Sequence, residues 1–139
     1  MQSVRFTVLG TPKGKGRPRF AVMKKGVRAF TPTETANYEN LVKLSYQQEC
    51  GDIKLEGELE ADIKAYFIPP ASTSKKKKEQ MLKGEIAYTH KPDLDNIVKI
   101  LLDSLNGIAY DDDRQIVSLK IEKGYAEKAG VVVELRERR

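Results

Sequence analysis

The sequence contains one cysteine and one histidine, Cys50 and His90, among its 139 residues. A single cysteine excludes disulfide bonds and cysteine-cluster metal sites within one chain, and a single histidine argues against a histidine-built zinc site. Any catalytic metal would therefore be held mainly by oxygen ligands, which favours Mg²⁺ or Mn²⁺.

Long apolar runs are also missing. No stretch approaches the roughly 20 apolar residues that span a bilayer, and the first residues lack the charged and apolar segments of a signal peptide. We therefore expect a cytoplasmic protein with no membrane partner. With 40% hydrophobic and 32% charged residues, the chain is predicted to form a single globular domain over residues 1–139.

Acidic residues are absent from residues 1–33, although this segment is rich in lysine and arginine. A second basic run is Lys75-Lys76-Lys77-Lys78. Between residues 91 and 113 the balance reverses, because six aspartates face only two lysines. A basic surface around an acidic focus is typical of a protein that binds a polyanion broadly and attacks it at one point.

Residues 10–19 form a loop in which glycines and prolines exclude regular structure. Glycines let the backbone approach a phosphate closely, and arginines can grip it with two hydrogen bonds, so the loop is predicted to bind DNA; a mobile surface loop is the alternative. The P-loop and G-x-G-x-x-G patterns are absent. The 75–78 lysines bind DNA or are simply solvated. The predicted DNA-binding residues are Lys13, Lys15, Arg17, Arg19, Lys24, Lys25, Lys75, Lys76, Lys77, Lys78 and Lys91.

The predicted elements indicate an α/β (α+β) fold with a single mixed β-sheet and helices packed on it. Alternating apolar residues predict strands at 3–9, 55–68, 115–125 and 131–135, and a small hairpin joins 20–23 to 27–30. Helices are predicted from Thr31 to Gly51, over 75–83 behind a Ser74 cap, and from Asp93 or Asp95 to Gly107. The tail, residues 136–139, is predicted to be frayed.

Carboxylates lie at both ends of the last predicted helix. Asp93 and Asp95 precede it, and Asp111-Asp112-Asp113 follow it. Neighbouring carboxylates repel each other, and a divalent cation relieves that repulsion. Taken singly, the first pair would be helix caps, the run a solvated turn, and Lys99 a salt-bridge partner. Their joint occurrence around one apolar helix in a basic chain favours a metal site against a nucleic-acid phosphate.

The pattern in these segments resembles the RusA family of Holliday junction resolvases. The similar parts are the D-x-D-N-x-x-K run at 93–99, the segment Leu102-Asp103-Ser104-Leu105-Asn106-Gly107, and Asp112-Asp113-Arg114-Gln115-Ile116. Residues 11–20 and Thr31-Pro32 look like the amino-terminal part of phage-borne or prophage members. The resemblance implies a RusA-like fold and a Mg²⁺-dependent crossover junction endodeoxyribonuclease, with Mn²⁺ as a possible substitute. It also implies a homodimer that cuts four-way DNA junctions symmetrically in recombination and repair.

The same resemblance assigns roles to individual residues. Gln115 aligns with the family's glutamine and places the third carboxylate at Asp113, while Asp111 leaves a register one residue earlier open. Lys99 would stabilise charge in the transition state or neutralise the carboxylates without metal, and Asn96 would orient an aspartate. The implied catalytic residues are Asp93, Asp95, Lys99 and Asp113, and the implied metal ligands are Asp93, Asp95, Asp112 and Asp113.

Two other functions remain open from the sequence. One is a Mg²⁺-dependent nuclease for other branched or phage DNA structures, such as flaps or replication forks. The other is a non-catalytic DNA-binding protein whose acidic residues only cap helices and solubilise the chain.

Overall fold

A computed structural model describes residues 1–16, 19–24, 26–30 and 33–138. None of the helices in these ranges is both long and apolar enough to cross a bilayer. The elements in chain order are β1 Ser3–Leu9, β2 Arg19–Met23, β3 Gly26–Phe30, α1 Thr33–Cys50, β4 Leu59–Phe67, α2 Lys75–Leu82, α3 Leu94–Ser104, a 3₁₀ turn Asp113–Gln115, β5 Ile116–Tyr125 and β6 Gly130–Glu137.

Four strands form one mixed sheet in the order β1-β6-β4-β5. β6 is antiparallel to both β1 and β4, whereas β4 and β5 are parallel. A parallel pair needs a long crossover, and α2 and α3 supply it. β2 and β3 pair separately as the predicted hairpin. The mixed sheet with packed helices confirms the predicted fold class.

One face of the sheet carries the core, as the alternation in β4 predicts. Leu59, Ile63 and Phe67 are buried on this face, and α1 and α3 pack against it. α3 contributes fully buried Ile97 and Leu101. Burial of each such side chain stabilises the fold by about 1.5–3 kcal/mol, so the apolar stripe of α3 fixes the helix, and with it the acidic motifs at its ends.

The crossover makes α3 run opposite to β5. The first turn of α3 therefore lies at the carboxyl end of β5, where Lys123 Nζ donates to the Pro92 carbonyl at 3.0 Å. The end of α3 lies at the start of β5, where the Asp113 N–H donates to Asn106 Oδ1 at 2.8 Å. The two acidic motifs are consequently placed at opposite ends of the same helix–strand pair.

The predicted frayed tail is wrong for Arg136 and Glu137, which belong to β6. The Glu137 carboxylate accepts hydrogen bonds from the N–H groups of Gln2 and Glu56, at 2.7 and 2.9 Å. These partners are remote in sequence, so a local reading of a charged terminus misses them. β4 begins at Leu59 rather than at residue 55, and the Thr31 cap of α1 lies outside the described residues.

Candidate functional site

Two aspartates stand at the amino-terminal end of α3. Asp93 occupies the N-cap position, but its side chain makes no capping hydrogen bond. Asp95 lies in the first turn, and both residues are exposed. The peptide bond between Lys91 and Pro92 is cis. Because its carboxylate does not cap the helix, Asp93 is available to a cation.

A second group of carboxylates meets at the other end of the helix. The carboxyl group of Asp113 lies close to those of Asp112 and of Asp103, which is in the last turn of α3. The Asp113 backbone is held in place by Asn106, which accepts its N–H. The structure therefore places Asp103 beside Asp112 and Asp113, and Asp103 was not among the residues predicted for the site. The signal for Asp103 was its position on the same helical face as Lys99 and Asn106.

Crowding and local hydrogen bonds shift the pKa values of these carboxyl groups in opposite directions. Burial, followed by the neighbouring carboxyl groups of Asp112 and Asp103, raises the pKa of Asp113. The Arg114 N–H, which donates to Asp112 at 3.0 Å, lowers the pKa of Asp112. Ionisation of Asp113 is therefore disfavoured by its surroundings. A divalent cation would offset the repulsion among these carboxylates.

The third member of the aspartate run points elsewhere. Asp111 is 81% exposed and its Oδ1 lies 2.6 Å from Lys54 Nζ. Gln115 fixes the turn: its Oε1 accepts the N–H groups of Asp111 and Asp112, both at 3.0 Å, and its Nε2 donates to the Gly57 carbonyl at 3.1 Å. Asp111 is therefore the member of the run whose carboxylate is paired with a lysine outside the acidic group.

Asp95, Lys99 and Asp103 follow one another at intervals of four residues and form one stripe along α3. Lys99 is exposed, and none of the ion pairs among the described residues involves it. Asp95 and Asp103 are separated by about 12 Å along the helix axis. Within the described ranges, no three Asp, Glu, His or Cys side chains are arranged to hold a metal ion. A single Mg²⁺, with ligands at about 2.1 Å, cannot contact both ends of one α3.

The amino-terminal loop rests on α3. The Lys15 N–H donates to the Asn96 carbonyl at 3.0 Å, and a Cβ added to Gly14 would lie 2.9 Å from Pro92 Cβ. Lys15 Nζ lies 2.6 Å from Glu39 and 3.6 Å from Asp103. Lys15, one of the predicted DNA-binding residues, is therefore paired with two carboxylates of the protein. Only glycine at position 14 allows the loop to approach the helix this closely.

The other predicted DNA-binding residues that the structure describes are exposed lysines and Arg19. Ser74 caps α2 as predicted, since its Oγ accepts the Lys77 N–H at 3.3 Å. Arg17 and Lys25 lie outside the described residues, and Arg19 is described only by its backbone in β2. The remaining lysines are all exposed, and they are Lys13, Lys24, Lys75, Lys76, Lys77, Lys78 and Lys91.

This chain is similar in sequence to known proteins. The model of a protein family described as "Endodeoxyribonuclease RusA" matches residues 10–136 of this chain. A protein of Bacillus subtilis (strain 168), described as "Uncharacterized protein YqaN", is 39% identical over 139 residues, covering 99% of this chain and 98% of the relative. The matched family region contains both acidic motifs and the whole of α3.

Proposed function

The chain belongs to the RusA family of Holliday-junction-resolving endodeoxyribonucleases, and from this premise we propose that it cuts four-way DNA junctions with Mg²⁺ bound at the carboxylates around α3. As a member of this family it is a nuclease that acts on branched DNA in recombination. The metal, its ligands, the homodimer and a cytoplasmic location are parts of the proposal. Mn²⁺ is the expected substitute for Mg²⁺.

The carboxylate group at the end of α3 is the observation that carries the proposal. Burial and the neighbouring carboxyl groups of Asp112 and Asp103 raise the pKa of Asp113, and crowded carboxylates gain most from a bound cation. The proposed ligands at both ends of α3 are aspartate carboxylates, and Mg²⁺ prefers such oxygen ligands. The residues present therefore fit a magnesium ion, with Asp93, Asp95, Asp112 and Asp113 as its proposed ligands.

Both ends of α3 contribute to one site only if two subunits meet. Within one chain the ends are too far apart for a single ion, whereas a twofold dimer can place Asp93 and Asp95 beside Asp113 of the partner subunit. Such a dimer has two equivalent sites. A four-way junction offers two symmetry-related strands, so two sites match two cuts.

Strand β5 is the surface that we propose for this dimer. Within the described sheet β5 has one neighbour, β4, and an unpaired edge can accept a strand from another chain. Val117 and Leu119 on β5 are 49% and 43% exposed. Since α3 runs opposite to β5, antiparallel pairing of two β5 strands brings the start of one α3 to the end of the other.

The chemistry of the proposal is hydrolysis of a phosphodiester. The bound cation would supply the positive charge that favours attack by water and departure of the leaving oxygen. Asp93, Asp95 and Asp113 would hold the ion and the water in place. Lys99, one helical turn from both Asp95 and Asp103, would offset negative charge on the phosphate as it develops. The exposed lysines around this centre would hold the DNA backbone without reading its sequence.

A cleavage assay tests this function. We expect the protein to nick a synthetic four-way junction symmetrically with Mg²⁺, leaving ligatable ends, and to be inactive with EDTA. Flap and linear duplexes of the same sequence serve as matched substrates. Preferential cutting of flaps would favour a nuclease for other branched DNA, and junction binding without cutting in either metal would favour a non-catalytic DNA-binding protein.

A further inference from the structure

An aromatic pocket lies beside the amino-terminal end of α3. The Tyr88 ring stacks on Phe67 with centroids 3.7 Å apart and planes 3° from parallel. Tyr125 meets Tyr88 edge-on at a centroid distance of 5.4 Å. The cavity measures about 430 Å³, a size typical of pockets for small molecules. Its lining residues are Thr11, Phe67, Ile68, Pro70, Tyr88, His90 and Tyr125.

The chemistry of the pocket differs from that of the neighbouring acidic centre. None of the lining residues is acidic, and none is a lysine or arginine. Phe67 and Tyr125 are buried, whereas Ile68 is 56% exposed at the rim. The exposed His90 ring and the half-buried Tyr88 ring are therefore the aromatic surfaces that a ligand can reach, and they suit a flat, uncharged ring better than a phosphate or a metal ion.

Lys123 connects the pocket to the acidic motif. Its Nζ donates to the carbonyls of His90 and Pro92, each at 3.0 Å, and lies 5.4 Å from the centre of the Tyr88 ring. Pro92 immediately precedes Asp93, and His90 is three residues away from Asp93, at most about 10 Å of chain. The pocket and the proposed metal ligands are therefore held in a fixed relation.

We propose that this pocket binds one unstacked nucleobase of the DNA next to the phosphate that is cut. The inference rests on the proposed function, since it adds a base-binding site to the same centre. Bases at a branch point flank a break in stacking, so taking one out of the stack costs least there. Stacking of the base on aromatic side chains then stabilises the complex, and it does so for every base. The pocket would thus favour branched DNA over continuous duplex.

A thermodynamic cycle between one base and one side chain tests this proposal. We would prepare a series of junctions, each with one abasic site at a different nucleotide next to the exchange point. The affinity of the wild-type protein for each junction is measured in EDTA, which prevents cutting. At one position we expect the missing base to weaken binding about fivefold or more. His90→Ala should remove most of that difference. His90 is exposed and meets Tyr88 edge-on at 5.5 Å, so the variant should fold. Thr89→Ala, at an exposed residue that does not line the pocket, is the matched control.

The outcomes separate this inference from the proposed function. A base-dependent loss that persists in Thr89→Ala and disappears in His90→Ala supports the pocket. Equal effects of the abasic site in wild type and His90→Ala at every position would overturn it, provided that the same protein cuts the intact junction with Mg²⁺. If the intact junction is not cut at all, the proposed function itself fails.

Discussion

Among the three consecutive aspartates that follow α3, residue-level contacts distinguish a proposed metal ligand from its neighbours. Burial and the carboxyl groups of Asp112 and Asp103 raise the pKa of Asp113, whereas Asp111 pairs with Lys54. We expect Asp113→Asn to reduce junction cleavage on the order of a hundredfold or more, as removal of transition-state charge stabilisation does elsewhere. Asp111→Asn, the matched control, should cut almost as well as wild type. Cleavage rates at saturating Mg²⁺ measure both; equal rates for wild type and Asp113→Asn would contradict the assignment.

The same crowding predicts a stability change in the metal-free protein. The pKa of Asp113 is raised, so the folded state keeps the proton at pH values where the unfolded chain, titrating near 3.9, has lost it. Asp113 therefore lowers the free energy of unfolding as the pH rises through its raised pKa. Asp113→Asn should stabilise the protein at pH 7 and have a smaller effect at about pH 4.

Asp112 is predicted to have the opposite effect on the free energy of unfolding. Its pKa is lowered by the Arg114 N–H, so its contribution to stability is present above the ordinary pKa and lost as the pH falls. Asp112→Asn should therefore destabilise the metal-free protein at pH 7. Urea unfolding in EDTA measures both variants. Destabilisation by Asp113→Asn at pH 7 would show that its carboxylate is not crowded.

At the scale of elements, local patterns predict most of the fold. Alternation identifies β4, helical spacing identifies α1 and α3, and Ser74 and Gly84 bound α2, because these signals depend on near neighbours in sequence. Contacts between residues that are distant in sequence cannot be predicted from such local patterns. Glu137 continues β6 because it accepts hydrogen bonds from Gln2 and Glu56, and nothing in the charged tail indicates those partners.

The site shows the same division. The polar face of α3 is visible from spacing, but the meeting of Asp103 with Asp113 depends on how the chain turns after the helix. The loop that lies on α3 is likewise visible only in three dimensions. Its glycines predict a close approach of the backbone to another group, and the sequence suggested a DNA phosphate. The sequence does not indicate that Gly14 approaches α3 itself.

That contact gives a prediction for the loop. A methyl group at Gly14 would lie 2.9 Å from Pro92 Cβ and 3.0 Å from Asn96 Cβ, so Gly14→Ala should push the loop away from α3. Overpacking of this kind costs about 1–3 kcal/mol, and we expect junction affinity to fall about fivefold or more. Thr89→Ala, at an exposed residue outside the loop and outside β5, is the control. Fluorescence anisotropy measures the affinity. An unchanged affinity in Gly14→Ala would show that DNA binding does not depend on the position of the loop.

At the scale of the whole molecule, the proposed dimer predicts the effect of a charge on the β5 edge. Leu119→Asp should give a monomer that remains folded and no longer cuts junctions, because each site would lack one half. Leu44→Asp, at an exposed leucine on α1, should leave both the dimer and cleavage intact. Light scattering measures the mass, and thermal unfolding checks the fold. A Leu119→Asp protein that stays dimeric would exclude this edge as the interface.

Mixing two inactive variants tests the central claim most directly. Asp95→Asn and Asp113→Asn should each bind junctions without cutting them. In a mixed dimer whose sites combine the two subunits, one site carries both substitutions and the other carries none. We therefore predict that co-refolded mixtures regain nicking at one strand per junction. A mixture as inactive as either variant alone, although it binds junctions and exchanges subunits, would contradict a metal site shared between the two ends of α3 in different subunits.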